Sequence, residues 1–275
     1  MSSYEFRDTQ VYTGSEYLIP AEAMYIWWKD GFKLIEDNID GYKTLNVVGR
    51  ELFSRDVSID NLNGGDGGMY TQATYPQRVI KVKYLLDAKD DEDFRRKFEY
   101  LNYMLSKQQF RFKFHDDPNF EWVGTVSSVE DFPEGTNSGV GTFEITCSDP
   151  FKRLTTPVNN TGVGTVNILE PLYFGTVPDV IEVVPSKDVN NLTVTDRDLK
   201  IELNGSISKN SKLEILPDMA ESPILINGVD KTEYLNLTSD LENFTILTND
   251  QIVCSDDKAK ISIKIRSKRL WDYFY

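Results

Sequence analysis

Arg78-Val-Ile-Lys-Val-Lys-Tyr84 alternates apolar and polar residues and reads as a β-strand. The acidic cluster Asp90-Asp-Glu-Asp93 follows. After it, Phe94, Phe98, Leu101, Met104 and Leu105 recur at spacings that put them on one helical face. The carboxylates fall at the helix N-cap and first turn, where unpaired N–H groups and the dipole favour negative charge; Lys107 sits at the opposite end. Phe110-Arg-Phe-Lys-Phe114 then alternates strictly, so its phenylalanines share one sheet face. Asp116-Asp-Pro-Asn119 is turn chemistry and Trp122 to Val129 the return strand. Pro133 to Gly139 turns again into the strand Val140-Gly-Thr-Phe-Glu-Ile-Thr-Cys147, which ends at Ser148-Asp-Pro-Phe151. The stretch 78–151 therefore predicts one helix laid across an antiparallel sheet.

Upstream, residues 1–21 read as an extended arm with aromatics at Tyr4, Phe6, Tyr12 and Tyr17. Ala23 to Trp28, the turn Lys29-Asp-Gly31 and Phe32 to Ile35 predict a hairpin. Asp37-Asn-Ile-Asp-Gly41 turns into a strand over Tyr42 to Val48, and Val57-Ser-Ile59 is a further strand. Asn61 to Gly68 holds four glycines in eight residues without a Gly-Lys-Ser/Thr ending, which predicts a loop or hairpin tip rather than a nucleotide loop. Downstream, Lys152 to Gly162 is linker chemistry, with a boundary near Pro157. Beyond it, short β-branched runs punctuated by turn residues predict a β-sandwich, including strands at Val180 to Val184, Lys212 to Leu216 and Phe244 to Leu247. The expected organisation is an arm (1–21), a β domain with one helix (22–156) and a β-sandwich (157–275), a mainly β fold.

The set Arg78-Val-Ile-Lys-Val, Leu101-Asn102 within a helix, Phe112-Lys-Phe-His-Asp116 and Cys147-Ser-Asp-Pro-Phe-Lys152 resembles, in order and spacing, the distal tail proteins of long, non-contractile bacteriophage tails. Ile39-Asp-Gly-Tyr42 and Val48-Gly-Arg-Glu51 look like that family's N-terminal strands, and Ile181-Glu-Val-Val-Pro-Ser186 like a strand of its C-terminal domain. The resemblance implies a C-terminal sandwich of the galectin or carbohydrate-binding-module kind and six copies ringed through their N-terminal domains. Such a ring would join the tail tube protein to the tail-tip (tail-associated) protein and receptor-binding protein, inside a virion assembled in the bacterial cytoplasm. It also implies that the glycine-rich excursion before Pro76-Gln-Arg78 reaches a neighbouring subunit. Gly64, Gly65, Asp66, Gly67, Gly68 and Arg78 are accordingly expected at the interface, with Arg78→Glu expected to weaken assembly while leaving the fold intact.

Chemistry is sparsely provided. His115 is the only histidine, and Cys147 and Cys254 are far apart, so zinc sites of usual spacing are excluded. A Cys–His nucleophile pair is formally open, but both cysteines sit in strand contexts where a small buried thiol is the simpler reading. His115-Asp-Asp117 reads as a turn, and the acids of Asp87 to Asp93 as a helix start. No catalytic set, metal or cofactor is expected. A glycan-binding alternative rests on Tyr173, Phe174 and Tyr234, with Phe244 beside them.

Charge narrows the partners. Thirty basic residues against forty-four acidic ones leave −14, so bulk attraction to DNA or anionic membrane is excluded and DNA is expected only as passing cargo. No run approaches the ~18 apolar residues of a membrane span, and the first residues lack the pattern of a secretory signal. The basic–aromatic end, Lys264 to Tyr275, is expected to cover a seam or partner surface.

Overall fold

Alternation along Arg78–Asp87 places Arg78, Ile80, Val82, Tyr84 and Leu86 on the buried side of one strand, and this row anchors the first half of the protein. The structure is a computed structural model describing residues 19–61, 66–130, 132, 136–218 and 221–270. The N-terminal arm to residue 18, Gly64, Gly65 and the final residues 271–275 lie outside the described residues. Two units are present: one runs to Lys152 and takes in Leu270, and the other is Arg153–Arg269.

The first unit opens with β1 (Met24–Trp28), β2 (Gly31–Leu34), the single-turn helix α1 (Ile35–Asn38) and β3 (Tyr42–Val48). Next come β4 (Asp56–Asn61), β5 (Gly68–Thr74), β6 (Arg78–Asp87), α2 (Asp91–Leu105), β7 (Phe110–Phe114), β8 (Asp117–Val129) and β9 (Ser138–Cys147). Seven strands form a path in the order β2-β1-β7-β8-β9-β6-β3. Asp90 caps α2 by accepting the Asp93 N–H, and Leu101 and Met104 carry its face into the core. Phe110, Phe112 and Phe114 are all buried, as strict alternation requires. Gly41 must be glycine: its φ is 81°, and a Cβ there would meet the Asp87 carbonyl oxygen at 2.2 Å.

Three local expectations change. Ile35 leaves the strand to start α1, so the unit has two helices rather than one; this single turn is closed by Ile39 N–H donating to the Ile35 carbonyl. The return strand β8 begins at Asp117, not Trp122, because Asp117 already pairs with Phe114 across a tighter turn. Asp56 to Thr74 forms its own two-stranded sheet.

The short strand β10 (Lys152–Leu154) precedes β11 (Val158–Val163), β12 (Thr165–Asn167), β13 (Val180–Val184), β14 (Val189–Asp196) and β15 (Leu199–Ile207). The rest are β16 (Leu213–Ile215), β17 (Ile224–Ile226), β18 (Val229–Asp230), β19 (Gln251–Cys254), β20 (Lys260–Ile265) and β21 (Lys268–Arg269). Ten run in the order β15-β14-β19-β12-β11-β20-β13-β16-β17-β18. Ile201 and Leu203 near one end share a buried cluster with Ile215 and Ile224 near the other, so the sheet folds over itself as a sandwich. Phe244 to Leu247 is not a full strand: only an isolated Thr176–Ile246 bridge forms. Side chains take the remaining backbone groups, with Asp250 accepting the Leu247 N–H and the Thr248 hydroxyl accepting the Leu172 N–H.

Glu36 of α1 is buried, and its Oε1 accepts the Thr44 N–H at 2.9 Å. Burial raises its pKa above the ordinary carboxylate value. A carboxyl whose folded pKa is raised costs stability increasingly as pH climbs from its unfolded value through the folded one, and the cost is constant above. Glu36→Gln keeps an oxygen for Thr44 and should raise the melting temperature over wild type clearly at pH 7 and little at pH 4. Equal gains at both pH values would remove the charge of Glu36 as the cause.

Candidate functional site

β4 and β5 pair only with each other, and every residue of both except half-buried Ala73 is exposed. Register places Val57 opposite Ala73, Ile59 opposite Tyr70 and Asn61 opposite Gly68 on one face; Asp56–Thr74, Ser58–Gln72 and Asp60–Met69 form the other pairs. The hairpin is thus amphipathic, yet its apolar face meets solvent, with Ile59 57% and Tyr70 62% exposed. A lone two-stranded hairpin is marginal in water, and an uncovered apolar face on one asks for a partner.

The main sheet's edges contrast with it. At edge strand β3, Thr44 N–H donates to Glu36 and Val47 N–H to Glu22 Oε2 at 2.8 Å, so carboxylates occupy donors that another strand would use. At the opposite edge, β2 is four residues long. The hairpin strands have no such cover, and Val57, Ile59, Met69 and Tyr70 are each more than half exposed.

Arg78 sits at its root. Contrary to the expectation of an interface side chain, Arg78 is only 1% exposed. Its Nε donates to the Pro150 carbonyl at 3.1 Å and its Nη1 to the Gly49 carbonyl at 3.0 Å. The guanidinium lies 4.2 Å from the Phe53 ring centroid and 4.9 Å from that of Trp122. Phe53 stacks on Tyr75, which meets Phe151 edge-on, and Arg55 covers Tyr75 at 4.5 Å. Both chain segments entering and leaving the hairpin are therefore fixed to the core through one arginine. Desolvation lowers the pKa of Arg78, but it has ample room to stay charged.

Other sequence candidates fall apart spatially or are spent. Asp66 and Gly67 lead into the return strand of the hairpin, which begins at Gly68, while Gly64 and Gly65 lie outside the described residues. The Cys147 thiol is buried and pushed up to about 12 by desolvation, while His115 is exposed and bonds the Tyr25 hydroxyl, so no thiolate–imidazole pair forms. Among the described residues no group of three metal-ligating side chains gathers. Tyr173 and Phe174 lie in the loop before the Thr176 bridge; Tyr234 belongs to a 3₁₀ turn and packs its ring over Gly205, where a Cβ would meet it at 2.3 Å. A cleft of about 580 Å³ beside α2 is lined by Ile39, Asp40, Arg96, Lys97, Tyr100 and Tyr103, with Arg96 and Lys97 both tied to Asp93. Sequence reading missed Phe53 and Tyr75, which stand in irregular segments without periodicity.

Two family domains match in order: the phage tail protein RIFT-related domain at residues 35–147 and the siphovirus-type tail component C-terminal domain at residues 175–268. Together they account for well over half of the chain, which belongs to the siphovirus-type distal tail proteins. It is 28% identical over 144 residues to the distal tail protein of Bacillus phage SPP1, a match spanning 48% of this chain and 57% of that relative, less than two thirds of its length. The crystal structure of the SPP1 Dit protein, described as a paradigm of hub adsorption apparatus in Gram-positive infecting phages, gives a TM-score of 0.71 at 20% identity. That likeness covers 90% of this chain and 98% of the other. A chain of the phage P2 baseplate in its activated conformation gives a TM-score of 0.50 at 12% identity, covering 91% of this chain and 99% of that one. At such identities the likeness is one of fold.

Arg78→Glu would bury an anion facing two carbonyl oxygens and two ring faces. It should destabilise the first unit by about 3 kcal/mol or more, correcting the expectation of an intact fold. Urea unfolding checks this, and an unchanged midpoint would remove Arg78 as the root of the hairpin.

Proposed function

We propose that this chain is a structural hub of a siphophage tail tip, assembling as a ring of six copies through its first unit. The observation that supports it best is the pair of family domains, in order, on a two-unit β fold matching nearly the whole SPP1 Dit chain. In this reading the ring connects the tail tube protein to the tail-tip (tail-associated) protein and to receptor-binding protein. It resides in the virion tail after assembly in the host cytoplasm. The role asks for binding surfaces, and we assign no enzymatic activity.

Subunit contact is assigned to the hairpin, through Val57, Ile59 and Tyr70 and the residues Asp66, Gly67 and Gly68. Cyclic closure needs two different complementary surfaces on each copy, and a projecting element supplies one of them. The overall charge of −14 suits passing DNA, since like charge keeps that contact weak.

Light scattering of the purified protein should give a discrete species six times the 31.5 kDa chain mass. Ile59→Asp and Tyr70→Asp should each weaken assembly by about tenfold or more without changing the melting temperature, because both side chains are exposed in the single chain. A strict monomer at all concentrations and salts would remove a self-closing ring. Unaltered assembly in both variants would move the interface off the hairpin.

A further inference from the structure

The turn between β14 and β15 brings two carboxyl groups and one arginine together in the second unit. Asp196 ends β14 with its side chain inward and only 1% exposed, and Arg197 follows it at a φ of 50°. Arg197 donates to Asp196 Oδ2 through Nε at 3.2 Å and Nη2 at 3.0 Å, and the same Nε lies 3.2 Å from Asp250 Oδ2. Its Nη2 also donates to the Thr245 carbonyl. One cation therefore stands between two carboxyl groups, one charge short of balancing both. Asp196 Oδ1 is buried, and no N–H or O–H among the described residues reaches it. The group that does meet Asp196 is the Asp250 carboxyl.

Two ionised carboxylates offer each other acceptors only, so their contact lacks a donor until one of them carries a proton. The other charged and titratable groups around the pair do not relieve it. Asp198, in the turn, is a further negative charge beside Arg197. Lys200 on β15 is paired with Glu202 at 2.6 Å, and Glu170, in the loop after β12, accepts the Asn160 amide. Cys254 on β19 is a buried thiol that desolvation keeps neutral. Burial raises the pKa of Asp196, Asp250 raises it further, and Arg197 opposes them only in part.

Asp250 anchors the segment 244–250. Its Oδ2 accepts the Leu247 N–H at 2.6 Å, Phe244 and Ile246 are fully buried, and Ile246 exchanges two backbone hydrogen bonds of 3.0 Å with Thr176. We infer that Asp196 carries a proton that it donates to Asp250, a carboxylic acid–carboxylate bond that latches the segment 244–250 to the end of β14 and opens on deprotonation. Loss of the proton to solvent leaves two anions against one arginine and loosens the segment that carries Leu247. Because the folded pKa of Asp196 is raised, stability falls as pH climbs from the unfolded value through the folded one, and the cost is constant above. The second unit thus holds a pH-sensitive latch, whatever the protein assembles with.

Hydrogen exchange of the full chain, read by mass spectrometry on the peptide covering 244–250, tests the latch. Asp196→Asn is the reference, because its amide donates to Asp250 at every pH. Comparing the two proteins at one pH cancels the intrinsic pH dependence of exchange. At pH 8 the wild-type segment should exchange about tenfold faster than the variant, and at pH 4 the two should match. Asp196→Asn should likewise melt above wild type at pH 8 and with it at pH 4. Asp250→Asn supplies the donor from the other side and should remove the same pH difference. Asp198→Asn takes an exposed charge from beside the same arginine and should keep the wild-type behaviour. Equal exchange in wild type and Asp196→Asn at both pH values, faster exchange in that variant, or equal protection from Asp198→Asn would overturn the shared proton. So would loss of folding in both Asp196→Asn and Asp250→Asn, since each retains the donor.

Discussion

A buried arginine organises the first unit. Arg78 occupies the inward row of β6, where its neighbours are Ile80, Val82 and Tyr84, and beyond the electrostatic pull of Glu51 a cation there must find hydrogen bonds and ring faces. Two carbonyl oxygens and the faces of Phe53 and Trp122 provide them. Those partners come from three separate segments, so solvating one charge fixes the loop after β3, the middle of β8 and the loop after β9 at once. The hairpin acquires a rigid base from this arrangement, not from packing of its own. That division leaves its apolar face available.

The two kinds of strand edge make physical sense together. A protein that assembles through exposed β structure risks unwanted edge-to-edge pairing. The carboxyl groups of Glu36 and Glu22 fill the β3 donors, at the expense of burying Glu36, whose pKa that burial raises. The hairpin adds exposed apolar side chains at Val57, Ile59, Met69 and Tyr70, and its acidic residues disfavour self-association with its like. A net charge of −14 works in the same direction, leaving only local patches able to attract.

Much of the site was legible before any coordinates. Arg78 stands at the head of the alternating row that runs through Ile80, Val82 and Tyr84, so its inward direction follows from period two alone. Setting it at a subunit face followed the family resemblance of the glycine-rich excursion beside it and overlooked that parity. Val57, Ser58 and Ile59 likewise alternate, and Tyr70 could be placed beside Ile59 only once a register was known, because the bulge between Ser58 and Ile59 shifts the pairing. In the second unit, Phe244 and Ile246 alternate like a strand, but the side chains of Asp250 and Thr248 draw the backbone away from full pairing.

What the sequence by itself determined is the local order: the alternating strands, the Asp90-capped helix, the shared face of Phe110, Phe112 and Phe114, and a mainly β chain in two parts. Periodicity and capping act over a few residues, so the primary structure carries them directly. Tertiary structure alone decided that Phe53 and Tyr75 close over Arg78 and that β4 and β5 stand apart from the main sheet. These depend on pairing between distant segments and on the desolvation of a single cation, which no local pattern encodes.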